Sequence, residues 1–203
     1  MKREDLPLVT PEKFKKFGPC WLKTREGCAR FERIAAVKDE WSVLDVLDLE
    51  DVSARDKLCS VLYVAFLPPM LLHEFACRCA EYALSLVENP DARSVEAIRV
   101  KRRWMTGDAT DDELCSARME ALSVVDEAWG AAWSAGCSAA WAAARVTRAA
   151  AWAAAWSAER AAAWAAERAA AWAAEMAAAE ANETAAYEHE VEILRNLINE
   201  WEE

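Results

Sequence analysis

The sequence predicts an all-α protein: a multi-helix bundle wrapped around a long alanine- and tryptophan-rich central helix, with no β-sheet. Three observations carry that expectation. Residues 153–176 read AAAWSAER, AAAWAAER and AAAWAAEM, three copies of one eight-residue unit with Trp156, Trp164 and Trp172 in the same slot. Glycine and proline are scarce, at 5 and 6 of 203 residues, and neither occurs after Gly136. Alanine is the strongest helix former, and nothing in the later chain punctuates it.

The repeat also predicts which way the helix faces. Eight residues at about 100° each overshoot two turns by roughly 80°. Each indole therefore points a quarter-turn from the last, which suits no coiled-coil seam. A helix apolar on every side belongs in an interior, so Trp141, Trp152, Trp156, Trp164 and Trp172 are expected in the core. A solvent-exposed rod carrying these rings would be prone to aggregate. No uncharged run there reaches the ~20 residues that span a bilayer, so no membrane segment is expected. Whether the stretch is one helix or a hairpin stays open.

The other elements follow from local signals. A single domain is expected, with N-terminal helices over 1–109, the Ala/Trp-rich run over 110–181 and an acidic C-terminal helix over 184–203. Thr10 before Pro11 and Glu12 starts a short helix that Gly18 stops. Phe31, Ile34 and Ala35 mark a second helix despite Gly27. Ser42 opens a short apolar one, and Ser53 with Asp56 opens another that is expected to run to Pro68-Pro69. PMLLHEFACRCAEYALSLVE is the most apolar helix of the N-terminal half, and Asn89-Pro90 breaks it. Asp91 caps the next, Gly107 ends it, and Thr110 with Glu113 forms a capping box for the long run. The final helix is marked by Val191, Leu194, Leu197, Ile198 and Trp201. About eight helices result.

Charge is unevenly distributed. The net charge is −11. Up to Thr110 the 18 basic and 18 acidic residues cancel; from Asp111 onward 6 basic face 17 acidic, so the whole imbalance lies there. Such a surface repels nucleic acid and favours a basic partner. Glu183, Glu188, Glu190, Glu192 and Glu200 of the last helix are the candidate partner-binding acids. Seven cysteines follow no framework spacing, and the N-terminus lacks an apolar signal core. Reduced thiols in a cytoplasmic protein are expected.

Candidates for chemistry are few. His73 and Cys77 lie one helical turn apart, but Cys79 points about 200° from Cys77 on a helix, so no metal site is expected. The chain has no nucleophile elbow, phosphate-cradling loop or dinucleotide fingerprint. Neither a catalytic residue nor a cofactor is assigned. Arg99, Lys101, Arg102 and Arg103 surround Trp104, and Arg160 and Arg168 alternate with indoles. Guanidinium and indole planes can sandwich a nucleobase while arginine holds phosphate. These six residues are candidates for an anion or small-nucleotide site; pairing with acids of neighbouring helices is the competing reading.

The order HEFACRCAEYAL, then NPDARSVEAIRVKRRWMTGDATDDEL, then alternating AAAW and AAER resembles a family of alanine/tryptophan-rich helical immunity proteins of bacterial and phage genomes. The resemblance covers roughly residues 8–180, and 90–113 is its most specific part. It implies an all-helical, non-enzymatic protein that neutralises a toxin or host defence protein by stoichiometric binding. A nucleotide sponge and a self-associating structural protein are the alternatives, and the oligomeric state is left open.

Overall fold

The computed structural model describes residues 6–135, 168 and 183–201. Among them are eight α-helices and no strand: α1 (Pro11–Phe17), α2 (Arg25–Ala35), α3 (Val43–Leu47), α4 (Ala54–Val61), α5 (Pro69–Ser85), α6 (Ala92–Thr106), α7 (Asp111–Ala135) and α8 (Glu183–Glu200). The protein is all-α, as the composition predicts. Trp141, Trp152, Trp156, Trp164, Trp172 and Arg160 lie outside the described residues.

The caps behave as local chemistry requires. Thr10 accepts the Lys13 amide at 3.3 Å, and Gly18 ends α1 in the left-handed region at φ 56°. Ser42 and Asp45 form a reciprocal capping box, as do Thr110 and Glu113. Asp91 accepts the Arg93 amide, and Gly107 closes α6 at φ 83°. Each cap satisfies backbone groups that a helix end otherwise leaves orphaned. One boundary departs from expectation. α4 stops at Val61 instead of running to Pro68, because Leu62 leaves the helical region at ψ 58° and a turn follows. The turn buries Phe66 and Leu67 and stacks Tyr63 on Phe17 at 4.8 Å. Tertiary burial overrides continuing helix propensity at that point.

The core is centred on α5. Leu71, Leu72, Phe75, Ala76, Cys77, Cys79, Ala80 and Ala83 are all inaccessible to solvent. α6 packs on one side of this helix, while α8 covers it and also packs on α4. α1, α2 and the 3₁₀ turn Cys20–Lys23 add a ring cluster in which Phe14 stacks on Phe31 at 5.1 Å and meets Trp21 edge-on at 5.6 Å. Trp21 donates its indole N–H to Ser60 at 3.1 Å. Val9 and Trp41 close this end with an isolated antiparallel bridge. A second, smaller cluster joins Ala97 and Val100 of α6 to Leu114, Ala117 and Ala121 of α7.

Candidate functional site

The basic run on α6 is drawn into packing and ion pairs. Lys101 is fully buried, with its ammonium 4.0 Å from the centre of the Trp104 ring. That corrects its assignment to a surface anion site: it follows Ala97 and Ile98 by four and three residues, which puts it on the inward face. Arg102 reaches back to α5, donating to Glu74 at 2.5 Å and to Glu81 at 3.0 Å. Arg103 instead reaches forward, to the Asp108 carbonyl at 2.8 Å and to Glu113 of α7 at 3.4 Å. Arg99 remains largely exposed and pairs with Glu96 one turn away. Arg168 is an exposed helical residue. These positions do not converge on a common cleft among the described residues.

The acids proposed on the last helix are likewise dispersed. Glu190 is fully buried, a correction to its placement on the partner-facing surface. It occupies the inward row of Ala186, Leu194 and Leu197, spaced by three and four. Glu200 is held by Arg78 of α5 at 3.0 Å, and Glu192 by Arg195 at 3.3 Å. Arg195 also reaches Asp48 at the end of α3, at 2.7 Å. Glu188 is exposed, and the side chain of Glu183 lies outside the described residues.

A more continuous acidic face lies on α7, outside the candidate acids of the last helix. Leu114, Ala117, Ala121, Val124 and Val125 face inward. The opposite side presents Asp112, Ser116, Met119 and Asp126, with Glu120 and Glu127 flanking them. Met119 is 56% exposed. Glu127 is engaged by both terminal nitrogens of Arg93, at 2.6 and 2.7 Å, and Arg93 also grips Asp91 and Ser123. That clamp ties the start of α6 to the middle of α7. Asp112 and Asp126 make no ion pair among the described residues. The spacing of the inward apolar residues was enough to reveal this face.

His73 sits between α5 and α6, 3% exposed, with its ring edge-on to Trp104 at 5.3 Å. Burial, helped by the Lys101 charge, pushes the imidazole down to about 4. Burial also pushes the Cys77 thiol up to about 12 and Cys79 well above its ordinary value. Both thiols therefore stay protonated, and a protonated thiol is neither nucleophile nor good metal ligand. His73 must charge on unfolding in mild acid. The unfolded chain binds that proton near pH 6.5 and the folded one near 4, so the His73 contribution to stability is intact above pH 6.5 and falls as pH drops through this window. The loss should reach on the order of 3 kcal/mol by pH 4. Urea midpoints between pH 7 and 4 measure it, and His73→Leu should flatten that limb. A slope unchanged in the variant would assign the acid lability to other groups.

Two spaces lie among the described residues. The cavity among Phe14, Trp21, Phe31 and Trp41 holds about 30 Å³, roughly one water's share, where a small-molecule pocket needs about 300 Å³ or more. An open groove of about 380 Å³ runs past Lys15, Leu22, Lys23, Cys28, Phe31 and Glu32. None of the six proposed anion-site residues lines either one. No group of His, Cys, Asp or Glu that could hold a metal is found among the described residues, and no helix searched there is long and apolar enough to cross a membrane.

These features define an all-α helical protein in which one exposed acidic helix face stands beside an internally paired basic run. No family model, curated protein or solved structure matches the chain.

Proposed function

We propose that the protein is a non-enzymatic binding protein that neutralises a protein partner by stoichiometric capture, as an immunity factor or an inhibitor of host defence. The observation that carries this reading is the outer face of α7. Asp112, Glu120 and Asp126 surround the exposed Met119, while Arg102 and Arg103 of the neighbouring helix are tied into ion pairs. An acidic face with an apolar anchor suits a partner whose surface is basic at the rim and apolar at the centre. Opposite charge accelerates encounter, and the desolvated side chain slows release. The sequence resemblance supports the same class of action.

The test is capture from a bacterial lysate at low salt, followed by mass measurement of the complex. The expected result is one specific protein in fixed ratio, released as salt rises. Reversing charge at Asp112→Lys, Glu120→Lys and Asp126→Lys together should weaken capture at least tenfold. Recovery of no specific partner, or undiminished capture by the triple variant, would overturn the reading.

A further inference from the structure

Glu190 stands out among the ionisable groups. Its side chain is fully buried in the apolar row of α8, and neither carboxyl oxygen has a hydrogen-bond partner among the described residues. An ionised carboxylate stripped of water and of partners is strongly disfavoured, so such a group keeps its proton or leaves the interior. Burial raises its pKa well above the ordinary carboxyl value, and no charged neighbour offsets the effect.

We propose that α8 is a proton-dependent latch: it docks on α3, α4 and α5 with Glu190 protonated, and loss of that proton releases the helix. The step is an O–H ionisation, with the proton passing to solvent and the carboxylate moving out to be hydrated. The surroundings contain little that would hold the charge in place. From α5, Cys79 is the titratable group coupled to Glu190; burial first, and then any charge on Glu190, raises its thiol, so it offers the carboxylate no compensating charge. Tyr82 of α5 meets His189 at 4.3 Å, and Arg78 reaches Glu200 instead. Asp48 at the end of α3 is taken by Arg195. α4 turns Leu58 and Val61 inward, carries Asp56, Lys57 and Cys59 half-buried, and keeps Arg55 exposed. The arginine contacts anchor α8 at its C-terminal half and keep their positive charge at every pH of interest. Proton loss therefore acts on the middle of the helix while its far end is still tethered.

Backbone hydrogen exchange on the whole protein, corrected for intrinsic rates between pH 6 and 9, tests the latch. Docking that takes up one proton should lose protection in α8 by up to tenfold per pH unit. The amides of α6 and α7, which share a separate apolar cluster, should keep theirs. Glu190→Gln and Glu190→Leu should each leave α8 protected and flat across the range; the leucine variant serves if the amide folds poorly. A flat profile for α8 in the wild-type protein would overturn the proposal. So would a slope that persists in both variants, or one shared equally by α6 and α7, which would signify global unfolding.

Discussion

Truncating Phe75 to alanine should destabilise the protein by about 3–5 kcal/mol, the range for a buried aromatic that leaves a cavity. Phe75 is wholly inaccessible and sits midway along α5, the helix against which both α6 and α8 pack. Its ring has Leu71, Leu72 and Cys79 within a turn on the same helix, all equally buried. Domains of this size have only ~5–15 kcal/mol in hand, so a large part of the margin should go. Denaturant melts of wild type and variant measure the difference. A change below about 1 kcal/mol would mean that the ring is exposed or that the site refills.

Adding one methyl at Gly27 is expected to be nearly as harmful. Gly27 lies in the first turn of α2, where its amide donates to the capping hydroxyl of Thr24 at 3.0 Å. A Cβ built there would fall under 3 Å from the carbonyl of Trp21 and from the Thr24 hydroxyl. The obstacle is backbone of the 3₁₀ turn, whose position is fixed by the Trp21–Ser60 hydrogen bond and by the Phe14 contact. Gly27→Ala gains helix propensity worth about 1 kcal/mol. It should nonetheless lose about 2–3 kcal/mol overall, because overpacking against backbone is relieved only by moving the turn. A thermal melt reports the sign: a raised melting temperature would show that the two segments separate without cost.

The contrast between these positions and the helix caps explains what was legible beforehand. Thr10, Ser42, Asp91, Thr110 and Gly107 act on atoms within about four residues, so their chemistry is written locally. The all-α class follows from composition in the same way. Gly27 reads as a weak point in a helix until the 3₁₀ turn is seen against it. The end of α4 depends on the burial of Phe66 and Leu67, a tertiary event that no window around Leu62 contains. Charge alone points Lys101 and Glu190 outward, yet their register with Ala97, Ile98, Ala186 and Leu194 places both inside. At Lys101 and Glu190 periodicity is a stronger signal than residue type. Read strictly, the same register also locates the acidic face of α7.

Adjacent residues of α6 serve different clusters: Ile98 belongs to the large one and Ala97 to the small one. That helix is thus a party wall between two rooms. Close-packed interiors transmit displacement instead of absorbing it, so swelling on either side presses on the other. Peeling α7 away would strip one face of the wall while α5 kept its cover of α8. Among the described residues, the turn 97–101 is where the cluster under the acidic face meets the one that the C-terminal helix covers.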